Sequence, residues 1–418
     1  MSSTTARPRA AAGSSGRAAA RTALSERLES PVTSYYLILS TMIVLVVFGL
    51  VMVLSASMVT SLRAGGSAFS DFTAQAVYAV LGLVGAAVAS RIPVAWWRRL
   101  AIPSLAMAML LQAMTLVPGI GVEVNGNRNW VRLGPVQLQP AEFAKIGLVL
   151  VAALVLSNKR KSLGSLTHVL FPFVVPVAAG VIGLDLLGHD LGTALVLLAI
   201  VAAVLFVAGV PIRFFVGALV VIGTGVLVLV VTSANRMSRI GSWRDCGADT
   251  TGACYQSVHG LYALADGGWW GVGLGASMEK WGWLPEAHND FIFAIIGEEL
   301  GLPGTLVILM LFALLAFACY RLVVRTQDQF VRIASAGVMA WLLAQAMINI
   351  GSVIGLLPVI GIPLPLVSAG GSALVTTLLA LGMLLSFARS EPDAHEMLSA
   401  RHSVVRRSLA VLPGRRRR

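Results

Sequence analysis

A polar loop becomes an apolar helix within the sixteen residues Leu284-Pro-Glu-Ala-His-Asn-Asp-Phe-Ile-Phe-Ala-Ile-Ile-Gly-Glu-Glu299. His288, Asp290 and three glutamates lie at this transition. Carboxylates at or inside a bilayer are costly, so acids at the entrance of a membrane helix indicate a functional site. The stretch therefore predicts a helical membrane protein with a site near the membrane surface.

The composition of the whole chain is that of a membrane protein, with 57% hydrophobic and 12% charged residues among 418. Apolar runs of about 20 residues, the length that crosses a bilayer, recur throughout. We predict an all-α integral membrane protein with ten transmembrane helices and a large outer loop between the seventh and the eighth. The helices are expected at Tyr36–Ser55, Phe72–Ala89, Ala101–Val117, Glu142–Leu156, Leu166–Leu186, Leu191–Val210, Phe214–Thr232, Phe291–Leu322, Arg332–Leu357 and Leu366–Phe387.

The basic residues predict the orientation. Most of the 31 lysines and arginines fall on one side if both termini are cytoplasmic, as the positive-inside rule requires. The formal charge of +12 therefore reflects topology, and no basic domain interleaved with aromatics indicates nucleic-acid binding. The cluster Arg415–Arg418 is expected to touch anionic headgroups or an acidic partner, or simply to stop translocation.

The domain organisation follows from the same pattern. One membrane domain is predicted at 34–389, with the outer loop at 233–290. The N-terminal tail, 1–33, has too little apolar surface to fold, and a basic tail follows at 390–418. No cleavable signal peptide is expected. Cys246 and Cys254 fall in the outer loop, where a disulfide and free thiols are both consistent with the sequence. Cys319 lies in a predicted transmembrane helix, where we expect it to serve only as a packed apolar side chain.

Two segments between the predicted helices face outwards, Pro118–Pro140 and Ser233–Asp290. The second contains Gly267-Gly268-Trp269-Trp270-Gly271-Val272-Gly273-Leu274-Gly275, followed by Trp281 and Trp283. Glycine permits tight turns and close backbone approach, while tryptophan favours the membrane interface. The long loop is therefore predicted to be re-entrant or to lie on the membrane surface.

Asp290 is the acid with the strongest case for chemistry. At a helix entrance, the helix dipole favours the carboxylate while partial desolvation favours the neutral acid. A carboxylate held between these effects suits general-base catalysis on a hydroxyl. The competing interpretation is an N-cap or first-turn acid of that helix.

The other acids have simpler explanations. Glu298 and Glu299 lie about two turns further into the helix, where structural bonding to other helices is favoured over chemistry. Glu142 and Lys145, at i and i+3, are expected to neutralise one another. The alternative is that Lys145 faces an anionic ligand. Asp190 begins another helix, and N-capping explains it.

Arginines and a broken helix complete the candidate site. Arg128 and Arg132 flank Trp130, and Arg236 and Arg239 open the long loop. Arginine suits phosphate oxygens, so these four either anchor lipid headgroups singly or converge near Asp290 as a pyrophosphate site. Prolines and glycines break the membrane helix at Gly361–Ser372, which indicates a lined groove. No Walker loop, Rossmann glycine pattern, zinc-ligand spacing or serine elbow is present, so a nucleotide-driven reaction is not expected.

Together these motifs resemble the SEDS family (shape, elongation, division and sporulation proteins) of lipid II polymerases, and within it the division-type members. The resemblance covers roughly Ser34 to Arg389. The chain departs from the family's usual residues at Gly188-His189, Ile360 and Ala369. The markers are Asn125–Gly134, Gln139-Pro140-Ala141-Glu142 with Lys145, Asp190-Leu191-Gly192-Thr193, Gly267–Gly275, Leu284–Gly301 and Pro363–Ser372.

The resemblance implies a peptidoglycan glycosyltransferase that polymerises lipid II on a growing lipid-linked glycan strand outside the cytoplasmic membrane. Its expected partners are a class B penicillin-binding transpeptidase and other division membrane proteins. Asp290 falls on the family's essential acid and is the expected catalytic residue. The expected substrate-binding residues are Arg128, Trp130, Arg132, Glu142, Lys145, Asp190, Arg236, Arg239, Lys280, Glu286, His288, Ser368, Gly370 and Gly371.

The hypothesis for the reaction is that Asp290 takes a proton from the sugar 4-hydroxyl of one lipid II. That oxygen then attacks the anomeric carbon of the lipid-linked strand with inversion, and undecaprenyl pyrophosphate departs. Outer arginines, Lys145 or a divalent cation (Mg²⁺ or Mn²⁺) would offset its charge. The alternatives are an elongation-type polymerase, a lipid II flippase and a non-catalytic scaffold for division proteins.

Overall fold

The computed structural model describes residues 30, 32–124, 127–134, 136–159, 163–232, 237, 241 and 254–391. This part of the chain is mostly helical, with one small sheet. Most of the predicted tails at 1–33 and 390–418 lies outside the described residues, as do Arg236, Arg239 and Cys246 of the long loop. The predicted domain boundaries therefore stay predictions.

The helices follow the apolar runs of the sequence, because charged residues, glycines and prolines bound those runs. In chain order they are α1 (Thr33–Arg63), α2 (Ser70–Ala89), α3 (Val94–Met114), α4 (Pro140–Asn158), α5 (Leu166–Val169), α6 (Ala179–Leu187), α7 (Leu191–Ala208), α8 (Ile212–Val231), α9 (Tyr255–Gly267), α10 (Ile292–Arg325), α11 (Gln329–Val353) and α12 (Gly371–Arg389).

Two predicted helix starts were wrong. α3 begins at Val94, directly after Pro93, whereas its predicted span began at Ala101. Its first turns carry two tryptophans and two arginines, an interfacial sequence that a search for apolar runs misses. α12 begins at Gly371 and not at Leu366, because the preceding segment, rich in proline and glycine, is not helical.

Eight of the described helices are long and apolar enough to cross a membrane, namely α1, α2, α3, α4, α7, α10, α11 and α12. Two shorter apolar helices lie at Phe173–Leu187 and Ile212–Val228. The first belongs to a segment predicted as one helix, but Leu170–Ala178 is π-helical and contains Pro176, which cannot donate a backbone hydrogen bond. The chain is a multi-pass membrane protein, and the count of ten spans stays a prediction.

A three-stranded antiparallel sheet occupies Pro118–Pro140, the first segment predicted to face outwards, so the prediction of an all-α protein was wrong there. Its strands are β1 (Gly121–Val124), β2 (Asn127–Leu133) and β3 (Val136–Leu138), with β2 in the centre. Val122 pairs with Trp130, and Arg132 pairs with Gln137. The signal in the sequence was the pair of turn dipeptides, Asn-Gly at 125–126 and Gly-Pro at 134–135, between short alternating runs.

α10 is broken at Gly301, whose backbone has φ 65° and ψ −159°. The glycine loop, which we define as Gly267–Gly275, packs its backbone against this break. Val272 and Gly273 donate to the carbonyl oxygens of Glu298 and Glu299 at 2.9 and 3.0 Å, and the Leu302 amide donates to Gly268 at 3.1 Å. The backbone groups freed by the break are therefore satisfied within the protein.

Candidate functional site

A cavity of about 920 Å³ lies where α2, α4, α7, the sheet and the entrance of α10 meet the segment that precedes α12. We call it the Asp290 cavity. The segment that its prolines and glycines predicted to be a helix break lines this cavity, through Gly361–Pro363 and Ala369–Ser372. It brings together nine of the predicted site residues: Trp130, Glu142, Lys145, Asp190, Glu286, His288, Asp290, Gly370 and Gly371.

Asp290 lies in the turn before α10 and is partly buried. The helix begins at Ile292 with Phe291 as its N-cap residue, so Asp290 directly precedes the cap position. Gly361 faces the carboxylate, because a Cβ at that position would lie 3.8 Å from Asp290 Oδ2. The carboxylate thus borders the cavity at the entrance of α10.

One amide side chain fixes the backbone of Asp290. Asn349 Nδ2, on α11, donates to the carbonyl oxygen of Asp290 at 2.7 Å and to that of Ile362 at 2.8 Å. The Ala369 amide donates to the His288 carbonyl at 2.9 Å. These bonds join the entrance of α10 to the broken segment before α12, so they fix the relative position of two walls of the cavity.

A buried ion pair lies on the α4 wall. Lys145 Nζ is 2.7 Å from Glu142 Oε1, and the two residues are 1% and 3% exposed. Lys145 also donates to Gln345 Oε1 at 3.2 Å and lies 5.0 Å from the ring centre of Trp341. The prediction that Glu142 and Lys145 neutralise one another is confirmed, and we call them the cavity pair.

Asp190 caps α7 and fastens the sheet to it. Its carboxylate accepts from the Thr193 amide at 2.9 Å, from Asn129 Nδ2 at 2.5 Å and from Gln139 Nε2 at 3.1 Å. The N-cap interpretation is therefore confirmed. The neighbouring His189 has a left-handed backbone with φ 66°, a strained conformation of the kind that clusters at functional sites.

The two predicted arginines that the structure describes do not line the Asp290 cavity. Arg128 and Arg132 lie on β2, and neither is among the residues that line the cavity. The Arg128 amide donates to Gly188 at 2.9 Å, which helps to hold the sheet against the start of α7. Arg236 and Arg239 lie outside the described residues. A four-arginine pyrophosphate site therefore stays a prediction.

Lys280 and Ser368, also predicted to bind substrate, lie outside the cavity lining. Lys280 Nζ is 2.8 Å from Glu299 Oε1 and donates to the Gly275 carbonyl at 2.6 Å. We call Lys280 and Glu299 the loop pair, because they tie the glycine loop to α10. Ser368 Oγ instead accepts from the Leu364 amide at 2.8 Å and so stabilises the broken segment.

The predicted structural role of Glu298 and Glu299 is confirmed. Glu298 accepts from Ser277 Oγ at 2.5 Å and from the Met278 amide at 2.6 Å. Glu299 accepts from Ser55 Oγ of α1 at 2.7 Å. Both carboxylates are 1% exposed, and each has the partners that a buried acid requires.

Glu279, in the long loop before α10, is an acid with a shifted pKa. Burial raises the pKa of the Glu279 carboxyl above its ordinary value, while His259, whose Nδ1 is 2.7 Å away, acts in the opposite direction. His259 stacks on the ring of Trp283. Cys254, which precedes α9, is disulfide-bonded, whereas Cys319 is free and buried as predicted.

Several cavity residues were missed by the sequence analysis. Gln75 and Tyr78 come from α2, and Gln256 from α9. The available signal was a polar side chain within an apolar helix, as for Gln75, whose amide donates to the Ser368 carbonyl at 3.1 Å. α9 itself was not predicted, because its sequence mixes polar and apolar residues without a long apolar run.

A divalent cation was among the predictions. No three His, Cys, Asp or Glu side chains come together as a metal site within the described ranges. Glu142 and Asp190 are also engaged by protein partners. The described side chains therefore do not form a ready ligand set for a divalent cation.

Comparisons with known proteins agree with one another. A family described as "Cell cycle protein", with the label FtsW, RodA and SpoVE, matches residues 35–392. A protein of Mycobacterium tuberculosis named "Probable peptidoglycan glycosyltransferase FtsW" is 41% identical over 389 residues, which cover 93% of this chain and 74% of the relative. A relative of the same name from Trichlorobacter lovleyi is 39% identical over 353 residues, or 84% of this chain and 92% of the relative.

Solved structures give the same answer for the fold. A chain from the study "Structural coordination of polymerization and crosslinking by a peptidoglycan synthase complex" superposes with a TM-score of 0.69 at 29% identity. It covers 85% of this chain and 98% of that chain. The rod shape determining protein RodA of Thermus thermophilus gives a TM-score of 0.62 at 28% identity, with coverage of 85% and 97%.

Proposed function

Since the chain belongs to the cell cycle protein family of FtsW, RodA and SpoVE, we propose that it is a peptidoglycan glycosyltransferase that polymerises lipid II during cell division. The observation that carries the proposal is Asp290 on the wall of a cavity of about 920 Å³. That volume lies at the upper end of ordinary ligand pockets, roughly 300–1,000 Å³, and suits sugars attached to lipids. The division role rests on relatives named FtsW at 36–41% identity.

Asp290 acts as the general base in this proposal. It accepts the proton of the acceptor 4-hydroxyl as that oxygen forms a bond to the anomeric carbon of the lipid-linked strand. The bond from that carbon to the pyrophosphate oxygen breaks, and the leaving group departs with the electron pair. Because pyrophosphate is already a good leaving group, a single base is sufficient. Lys145 lines the cavity and would offset the negative charge of the leaving group. To do so, its ammonium group would leave Glu142 and bind a phosphate oxygen instead.

The orientation supports chemistry at the outer face. We place both termini in the cytoplasm, ten spans in the membrane and the Asp290 cavity on the outside, with the chain at the division septum. Arg91, Arg98, Arg99 and Arg213 lie at the helix ends that this arrangement puts inside. A class B penicillin-binding transpeptidase is the proposed partner, supported by the similarity to a chain of a peptidoglycan synthase complex.

The test is lipid II polymerisation by the purified protein, with and without the transpeptidase, read as glycan chains on a gel. We expect Asp290→Asn to lower the rate at least about 100-fold, the usual size of a general-base contribution. Asp266→Asn is the matched control, because this exposed outer acid does not line the cavity. A rate for Asp290→Asn close to that of wild type would remove the base assignment. No chains from wild type with the partner present would favour lipid II translocation, to be measured in liposomes.

A further inference from the structure

A second crevice, of about 520 Å³, lies between α1, α2 and α12. Its walls are mainly apolar, with side chains such as Leu39, Leu83 and Leu385. The exposed Arg91 and the partly buried Arg389, which we call the rim arginines, also line it, together with Tyr35 and Ser90. We call it the arginine crevice. It therefore combines an apolar slot with a positively charged mouth.

The arginine crevice and the Asp290 cavity lie at opposite ends of α2 and α12. α12 lines the cavity at Gly371 and the crevice at Arg389. Its 19 residues span roughly 28 Å, close to the hydrocarbon thickness of a bilayer. In the same way α2 lines the cavity at Gln75 and the crevice at Ser90. The crevice therefore belongs to the membrane leaflet opposite the cavity, which is the cytoplasmic one in the proposed orientation.

The two rim arginines differ from a neighbouring arginine in their partners. Arg98 pairs with Asp328 at 2.6 Å. Neither Arg91 nor Arg389 forms an ion pair with an acid in the part of the chain that the structure describes. The Arg389 guanidinium makes a long contact of 3.4 Å to the Ser90 carbonyl. Two guanidinium groups at one mouth thus have no counter-charge from these residues.

We propose that the arginine crevice binds an anionic phospholipid of the cytoplasmic leaflet. An acyl chain lies along the apolar wall formed by α1, α2 and α12, and the phosphate lies between Arg91 and Arg389. The planar guanidinium group matches phosphate oxygens in a two-point contact, and each basic residue near an anionic headgroup strengthens the attraction. The bound lipid joins α1 to α2 and α12, the two helices that also line the Asp290 cavity.

The test is native mass spectrometry of the purified full-length protein with added phosphatidylglycerol, compared with phosphatidylcholine of the same chains. We expect wild type to retain phosphatidylglycerol preferentially. The double variant Arg91→Gln/Arg389→Gln should bind this lipid at least about tenfold more weakly. The matched control is Arg99→Gln/Arg213→Gln, which removes the same charge from the same face outside the crevice. Ala87→Phe fills the slot and leaves both arginines in place, so it should also reduce binding.

Each variant is first compared with wild type in elution profile and in thermal midpoint without lipid, so that a misfolded variant is recognised. Equal retention of the two phospholipids by wild type would overturn the proposal. So would an equal loss in the control variant, because the effect would then be one of general surface charge. Preferential retention of undecaprenyl phosphate over phosphatidylglycerol in a third arm would likewise overturn it, in favour of a carrier-lipid site.

Discussion

The loop pair and the cavity pair are both buried lysine–carboxylate contacts, but they differ in what surrounds them. Lys280 and Glu299 are enclosed between the glycine loop and α1, with Ser55 as a further partner. Glu142 and Lys145 border the Asp290 cavity. Glu299 is close to Asp290 in sequence, whereas Glu142 is distant from it. Packing, and not nearness along the chain, therefore determines which charged residues line the cavity together with Asp290.

The comparison predicts the largest loss of stability for the loop pair. Lys280→Ala leaves the Glu299 carboxylate buried without its cation, which typically costs about 3–5 kcal/mol. We expect a clear drop in the thermal midpoint, measured by tryptophan fluorescence in detergent. The double variant Lys280→Met/Glu299→Gln removes both charges and should cost less than the single one. Equal losses in the two variants would show that the charge left behind is not the cause.

The glycine loop should be nearly as sensitive, because its backbone lies directly on the break in α10. A Cβ at Gly271 would overlap the Glu299 carbonyl oxygen, and the residue has φ 76°, where side chains are strained. We expect Gly271→Ala to cost about 2–3 kcal/mol, read as the same thermal midpoint. Gly217→Ala on α8 has open space around it and serves as the control. An unchanged midpoint for Gly271→Ala would contradict the close packing of the loop.

The cavity pair should affect activity more than stability. In Glu142→Gln the amide oxygen can still accept from Lys145, which also keeps its bond to Gln345, so we expect a stability cost of only about 1–3 kcal/mol. Polymerisation should fall beyond the loss of folded protein, because the lysine loses its carboxylate partner at the cavity wall. The measurement is the initial rate per folded molecule, set beside that of Lys280→Ala. If both variants lose rate only in proportion to folded protein, the distinction between the two pairs is wrong.

The smallest expected effect concerns Glu279, next to the loop pair. Its pKa is raised by burial, so the folded state favours the protonated form. Its contribution to stability is therefore fully present below the ordinary glutamate pKa and is lost as pH rises through the raised value. Glu279→Gln should reduce the fall of the thermal midpoint with rising pH above about pH 4.5. The difference should correspond to less than about 1 kcal/mol in the free energy of unfolding. The exposed Glu123→Gln should leave that dependence unchanged.

The positions of most membrane helices could be predicted, because a bilayer demands long apolar runs and the chain provides them. The sheet could have been predicted from its two turn dipeptides, whereas α9 offered no such signal. The candidate base was found from its place at a helix entrance, but its neighbours Gln75, Tyr78 and Gln256 were not. They come from helices distant in sequence, and a single polar residue in a helix does not indicate which partner it faces.

The sequence by itself determined the membrane class, the helix-rich architecture, the acid at the entrance of α10 and the resemblance to a family. Each of these depends on local composition or on the order of short motifs. Only the tertiary structure decided that Glu142 and Lys145 share a cavity with Asp290, while Lys280, Glu298 and Glu299 stabilise the glycine loop. Residue types and spacing are similar in the two sets. The packing of α1, α10 and the glycine loop decides which charges are enclosed and which border the cavity.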